Sequence, residues 1–296
     1  MRIKRIVLIV SISLLTISIR AQNNLENLLM EEMGKTVDYA MGTFISNNIL
    51  NSQSTEMLNI SGLGFRISHK FGKLNTGSNN FNGFDDATTF MEVNYGVTDW
   101  MNIGVGRATF DELVNGYAKF RVLRQSTGAR VMPVSAVILL IANYKTCKYD
   151  NEERNKNIID RFDYTSQLLL SRKFSNKFSA QLMPAFIHRN LVETTNDKND
   201  IIAVGMGASY KILPQFSVKA EYFWVQNHDT PNLKFYDPVS MGLCYQSSRH
   251  AFELFVTNSQ SITDNNFIAN TTCNFWEGDI RVGFNILTVF SLNRKK

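Results

Sequence analysis

From Ile60 onward the chain repeats one pattern: an extended run in which apolar and polar residues alternate, then a link, then another such run. A two-residue period places every apolar side chain of a run on one face and every polar one on the other. That is the pattern of a strand, and a helix does not produce it. Twelve runs fit, near 60–71, 88–97, 100–109, 116–125, 132–143, 159–174, 177–188, 200–212, 215–226, 236–247, 249–258 and 277–290. In the first, Leu63, Phe65, Ile67 and Phe71 oppose Gly64, Arg66, Ser68 and Lys70. In the ninth, Phe216, Val218, Ala220, Tyr222 and Trp224 oppose Ser217, Lys219 and Glu221. Only 132–143 is nearly continuous in apolar residues and shows little period.

A soluble sandwich has the same local period, so three further features decide. Many runs reach ten residues or more, the length a tilted membrane strand needs, whereas soluble strands average ~5–6. Links after the even-numbered runs are tight, such as Thr98-Asp99, Asn176, Leu213-Pro214 and Ser247-Ser248. Links after the odd-numbered runs are mostly longer, such as 72–87, 144–158, 189–199 and 259–276. Short periplasmic turns and long outer loops give this alternation. Finally, aromatics such as Tyr95, Tyr210, Phe216, Trp224 and Tyr245 end the apolar face, while isolated charges of both signs sit on the other. The reading is an all-β, transmembrane, antiparallel up-and-down barrel of about 12 strands with both termini periplasmic. Strand glycines on the polar face (Gly64, Gly104, Gly106, Gly205, Gly207, Gly242, Gly283) are expected to make room for long charged side chains. Pro184, inside the seventh run, is expected to force a bulge.

The ends fit this frame. A basic stretch, Met1-Arg2-Ile3-Lys4-Arg5, precedes the apolar run Ile6 to Ile19 and then Ala21, the layout of a cleaved signal peptide over 1–21. Residues 22–58 then read as an N-terminal periplasmic segment, 59–290 as the barrel and 291–296 as a tail. The whole chain holds 31 Lys+Arg against 26 Asp+Glu, but four of the bases lie in 1–21, leaving 27 against 26. So small a net charge gives no case for a nucleic-acid partner. Three cysteines without a CxxC argue against a disulfide scaffold or a zinc site.

The stretches Gly64-Phe65-Arg66-Ile67-Ser68-His69-Lys70-Phe71-Gly72, Gly83-Phe84-Asp85-Asp86-Ala87, Tyr95-Gly96-Val97-Thr98-Asp99, Gln181-Leu182-Met183-Pro184 and Gly283-Phe284-Asn285 carry a resemblance. The chain resembles an uncharacterised family of Bacteroidetes-type outer-membrane β-barrels, domain of unknown function 5777, over residues ~40–290. The resemblance implies an outer-membrane location. It implies no activity and supplies no catalytic residues.

The strongest functional candidates are the charges expected to line the lumen: Arg66, Lys70, Glu92, Lys119, Arg121, Asp163, Lys219, Glu221, Glu253 and Arg281. In an open lumen they tune solute passage; in a closed one they form a salt-bridged plug. Asp85 and Asp86, in an Asn- and Gly-rich outer loop, are a candidate cation contact, set against the simpler reading of a turn signal. The histidines His69, His188, His228 and His250 have no metal-ligand spacing, so no metal site and no cofactor is expected. Ser240, Ser247 and His250 are the nearest thing to a hydrolase set, without a nucleophile elbow. The leading expectation is a narrow passive pore or transporter for a small solute. The alternatives are a structural or assembly barrel with a closed lumen and, behind it, a barrel-embedded hydrolase. Expected partners are outer-membrane lipid, the barrel assembly machinery and a periplasmic protein reached through residues 22–42.

Overall fold

The structure is a computed structural model that describes residues 36–147, 157–192, 197–226, 229–230 and 233–292. The signal segment 1–21, the stretch 22–35, His228 and the tail beyond 292 lie outside the described residues. The strands are β1 (Val37–Tyr39), β2 (Gly62–Lys73), β3 (Ala87–Gly96), β4 (Met101–Ala108), β5 (Leu113–Leu123), β6 (Ser126–Gly128) and β7 (Ser135–Lys145). They continue with β8 (Phe162–Lys173), β9 (Phe178–Arg189), β10 (Asp200–Leu213), β11 (Phe216–Val225), β12 (Val239–Gln246), β13 (His250–Thr257) and β14 (Arg281–Ser291). One short helix, α1 (Asp264–Ala269), lies between the last two.

Twelve of these strands, all except β1 and β6, form a closed antiparallel barrel in which sequence neighbours pair and β14 returns to β2. β1 and β6 make a separate two-stranded sheet. Closure pairs Ser291 with Gly62, so the barrel begins and ends at one rim. That rim also carries the links β3–β4, β8–β9, β10–β11 and β12–β13, and we call it the turn rim. Two links depart from the expected alternation. The β4–β5 connection at the other rim is only residues 109–112, and the β5–β7 connection at the turn rim is long because it carries β6.

The inside-outside alternation follows the sequence period. Along β2, Arg66, Ser68 and Lys70 are buried while Phe65 and Ile67 are exposed. Exposed Met91, Val105, Leu140, Leu168, Leu182, Met206, Met241 and Leu254 belong to one apolar outer surface around the barrel. At its edges aromatics meet, as in the Phe216–Tyr245 pair at 4.9 Å and the Phe65–Phe290 pair at 5.9 Å, both near the turn rim.

The expected bulge at Pro184 is absent. β9 runs straight past it, with Pro184 opposite Val204 and its neighbours in unbroken register. On the β8 side the pairing stays in the same register on either side of the proline but skips the positions beside it, as a missing N–H requires. Register shifts fall instead at Arg121/Leu123, Lys211/Leu213 and Arg281/Gly283, near strand ends.

The run 132–143 is explained by what faces it. Val137, Leu139 and Ile141 point inward and are buried, while Ile138 and Leu140 point outward. Both faces of β7 meet apolar surroundings, so no period survives in the sequence.

Candidate functional site

Eight strands leave an interior that side chains alone can fill, so twelve leave a bore that water or chain must occupy. Here the chain occupies it. Residues 43–58 enter from the turn rim, fold into a hairpin, and return. Its arms are joined by the Asn48–Gln53 bridge and by Ile49 N–H donating to Ser52 O and Ser54 N–H donating to Asn47 O, both at 2.8 Å. Glu56 closes the base, its Oε1 accepting from the backbone N–H groups of Thr43 and Phe44 at 2.7 and 3.3 Å. Every residue from Asn48 to Ser54 keeps 1% or less of its surface accessible, so no solvent-sized space runs beside it. The part of the expected periplasmic segment that spans 43–58 is therefore enclosed by the barrel wall.

The charged wall holds this hairpin. Glu221 grips the tip: its Oε1 accepts from Asn51 N–H and Asn51 Nδ2, both at 2.8 Å, and its Oε2 from Ser52 N–H at 3.2 Å and Ser52 Oγ at 2.6 Å. Lys119 donates to the carbonyls of Asn47, Ser54 and Glu56 at 3.0–3.3 Å, tying both arms. Arg66 and Asn285 both donate to Leu50 O, at 2.9 and 2.8 Å. Lys219 pairs with Glu253 at 2.6 Å and reaches Ser46 Oγ and Asn48 O. Glu253 in turn accepts from Asn285 at 2.7 Å. A buried ion left without partners is costly, and backbone carbonyls give these ammonium and guanidinium groups charge-assisted hydrogen bonds.

A second insertion comes from the opposite rim. After β13 the chain turns inward through Ser259–Thr263, and all of α1 is buried. Lys70 donates to the carbonyls of Ser259 and Ser261, and its Nζ lies 5.4 Å from the Phe267 ring centre. Arg281 donates to Gln260 Oε1 at 3.2 Å. Gln167 donates to Asp264 at 3.4 Å, and Asn265 to Asp163 at 3.4 Å. Burial pushes the Asp264 carboxyl up to about 7, with Glu92 and Glu221 adding to the rise and Arg66 opposing it.

The other half of the lumen is apolar. Phe44, Ile49 and Met57 of the hairpin and Phe267 and Ile268 of α1 join one buried cluster with Val137, Leu139, Leu169, Met183, Ile187 and Phe223. Most inward glycines seat bulky aromatic or aliphatic groups and not the long charged side chains that the sequence suggests, while Gly64 makes room for the Asn94 amide. A Cβ at Gly104 would lie 2.4 Å from the Tyr117 ring, at Gly205 2.4 Å from the Phe223 ring, and at Gly207 2.2 Å from Ile49 Cδ1.

Of the ten candidate charges, nine are buried inside the barrel: Arg66, Lys70, Glu92, Lys119, Asp163, Lys219, Glu221, Glu253 and Arg281. Glu92 accepts from Asn94 and from Tyr117 Oη, both at 3.0 Å. Arg121 stands apart at the turn rim, partly exposed, donating to Asp99 O at 3.0 Å. The expected mesh of salt bridges is thin. Among the described residues, wall charges pair with each other at Lys219–Glu253 and, at the loop rim, Lys145–Asp163 at 3.6 Å. The other cations donate mainly to carbonyl oxygens, and the other carboxylates accept from N–H, amide and hydroxyl groups.

Asp85 and Asp86 are exposed in the β2–β3 loop, and no group of three or more His, Cys, Asp or Glu able to hold a metal occurs among the described residues. Ser240 is buried near the loop rim, donating to Thr257 Oγ1, whereas His250 stands at the turn rim against Thr288. The fold does not bring them together. His69 packs outside between Phe71 and Phe284, and His188 meets Asp200 at 2.6 Å on the loop rim. Cys147, Cys244 and Cys273 form no disulfide.

The hairpin and α1 loop were the parts the sequence reading missed. They share the tetrapeptide Asn-Ser-Gln-Ser, at 51–54 and again at 258–261, each in an uncharged or nearly uncharged stretch rich in Asn, Ser and Thr. Such a stretch, flanked by strands with inward charges, is the signal that was available.

A family profile, "Membrane bound beta barrel domain (DUF5777)", matches residues 44–290. The chain belongs to this family. The match begins at Phe44, so the hairpin lies inside the family's domain together with the strands. No curated protein matches the sequence. Among solved structures the barrel is similar to the KdgM porin (8% identity, 78% of this chain and 99% of that one, TM-score 0.45). It is also similar to the COG4313 outer membrane channel from Pseudomonas putida F1 (10% identity, 80% and 98% covered, TM-score 0.49). A third likeness is to the outer membrane phospholipase A from Escherichia coli (11% identity, 84% and 98% covered, TM-score 0.44). Likenesses this remote say nothing about activity.

Proposed function

We propose that this membrane β-barrel resides in the outer membrane with its lumen held shut by its own chain, and that it serves as an anchoring or assembly barrel and not as an open passive pore. The observation that carries this reading is the hairpin at 43–58, gripped by Glu221 and Lys219 of β11, Lys119 of β5 and Arg66 of β2. α1 fills the bore from the other rim. A solute crossing this conformation would have to displace both.

Short-turn rims of outer-membrane barrels face the periplasm. On that orientation residues 36–42 leave the barrel into the periplasm, where β1 pairs with β6 within reach of a partner protein. Planar-bilayer recording of the refolded protein tests the closed lumen. The expected result is a silent wild type and stepwise currents once residues 43–58 are deleted or Glu221 is replaced by Ala. Stepwise currents from the intact, folded protein would overturn the reading and restore the passive pore.

A further inference from the structure

We infer that the outer wall carries a binding groove for one phospholipid molecule, seated across β8 to β12 with its phosphate at Arg172. The inference rests on the membrane location of the barrel and is independent of whether the lumen is open.

The floor of the groove is a row of small side chains in register. Arg172 pairs with Ala180, Ala180 with Ala208, Ala208 with Ala220, and Ala220 with Met241. All have the outward parity of their strands. The next row toward the loop rim is large: Leu170, Leu182, Met206 and Tyr222, again in register. A row of alanines below a row of long side chains leaves a trough, and the cavity there measures about 660 Å³. Neighbouring strands lie ~4.8 Å apart, so three alanines floor a trough on the order of 10–15 Å long, the reach of much of an acyl chain.

Two further observations identify the occupant. The row does not run level. Arg172 lies one residue before the end of β8 at the turn rim, whereas Met241 lies five residues before the corresponding end of β12. The trough thus starts at headgroup depth and climbs into the hydrocarbon. At its shallow end sits a guanidinium on the lipid-facing side, 5.3 Å from the Phe174 ring centre. An outward arginine at the membrane edge suits a phosphate, whose oxygens accept its planar fork. An anionic head at Arg172 and a tail along Ala180, Ala208 and Ala220 is the arrangement of a glycerophospholipid. A protein helix would need a wider and flatter floor.

The test uses the full-length barrel refolded in detergent with phosphatidylglycerol as the probe, bound lipid being counted by native mass spectrometry and affinity measured by titration. The variants are Arg172→Gln, Ala208→Leu, which fills the trough with an apolar group lipid tolerates, and Ala118→Leu on the outer face of β5 as control. Folding is checked by heat-modifiable gel mobility. Wild type and control should hold one lipid. Each groove variant should weaken binding about tenfold, the loss expected for one charge-assisted contact or one blocked trough. Equal binding by all four proteins would overturn the inference. A loss confined to Arg172→Gln would overturn the groove as well, since it would leave only a surface charge contact.

Discussion

Replacing Glu221 by Ala is the sharpest probe of how the lumen is closed. Its carboxylate accepts four hydrogen bonds from two adjacent residues of the hairpin tip, two of them from backbone N–H groups that have nowhere else to turn. A hydrogen bond to a charged group contributes ~1.5–3 kcal/mol, and each buried donor stranded by the substitution costs ~1–3 kcal/mol. The four bonds share one carboxylate and one tip, so they do not add. Water drawn into the vacated space recovers part of the loss. The net expectation is about 3–4 kcal/mol against the docked hairpin, or on the order of 10²–10³ in the ratio of undocked to docked states. The assay is thiol labelling of a Gln53→Cys reporter in a background whose three native cysteines are Ser. Gln53 is buried in the hairpin and its side-chain oxygen accepts no hydrogen bond, so the reporter disturbs little. Where opening is fast relative to labelling, the rate follows the open population, and it should rise by that same factor. Glu221→Gln keeps one carbonyl oxygen for Asn51 and should give a smaller rise. Unchanged labelling in a Glu221→Ala barrel that is demonstrably folded would refute the idea that this carboxylate holds the hairpin.

Other expectations follow from the same geometry. A Cβ at residue 207 would lie 2.2 Å from Ile49 Cδ1, so Gly207→Val should push the hairpin off its seat and raise reporter labelling; adding Ile49→Ala should restore part of the protection. Leu140→Arg, mid-strand and facing lipid, should cost ~2–4 kcal/mol in unfolding titrations from lipid vesicles, whereas Val218→Arg, two residues into β11 from the turn rim, should cost only ~0–1. Because Asp264 holds its proton up to about 7 when docked, against 3.8 in a free loop, docking of α1 should be tightest below the lower value and weaken as pH rises between the two. Hydrogen exchange of residues 264–269 between pH 4.5 and 8 should show that slope, and Asp264→Asn should flatten it.

The wall was legible and its contents were not. A strand between lipid and a polar interior must alternate, and so β2 and β11 announced both their existence and their faces. The nine enclosed charges followed from parity alone. The contrast is β7: Val137, Leu139 and Ile141 face Phe44, Ile49 and Met57 of the hairpin or their neighbours in one apolar cluster, so the inward positions are as greasy as the outward ones. The hairpin itself has neither period. Its residues are held by what surrounds them on all sides, and its polar side chains meet wall charges over 100 residues away in sequence, such as Glu221 and Glu253. No window of local sequence contains that information. The inward glycines were misread for a related reason. Their neighbours across the sheet include a tyrosine, a phenylalanine and the hairpin's own isoleucine, none of them adjacent in the chain.

The buried charges also argue about design. Arg66, Lys70, Lys119, Lys219 and Arg281 are matched in number by Glu92, Asp163, Glu221, Glu253 and Asp264, so the enclosed interior balances to zero once Asp264 has released its proton. Neutrality is necessary for a dry lumen, but it would be satisfied as well by direct pairs across the bore. Direct pairs are few, and most of these groups bind peptide carbonyls, amides and N–H groups of the two inserted segments. A wall whose charges paired with each other would be complete without an insert. This wall is not: lifting out the hairpin strands Lys119 without its three carbonyls and Glu221 without its four donors. The barrel and its hairpin therefore stabilise each other, and any opening must bring water into the bore to take over those contacts. That coupling predicts a steep, all-or-none onset of conductance as the grip is weakened, one open level appearing at rising frequency, and a graded increase in the size of the open level would contradict it.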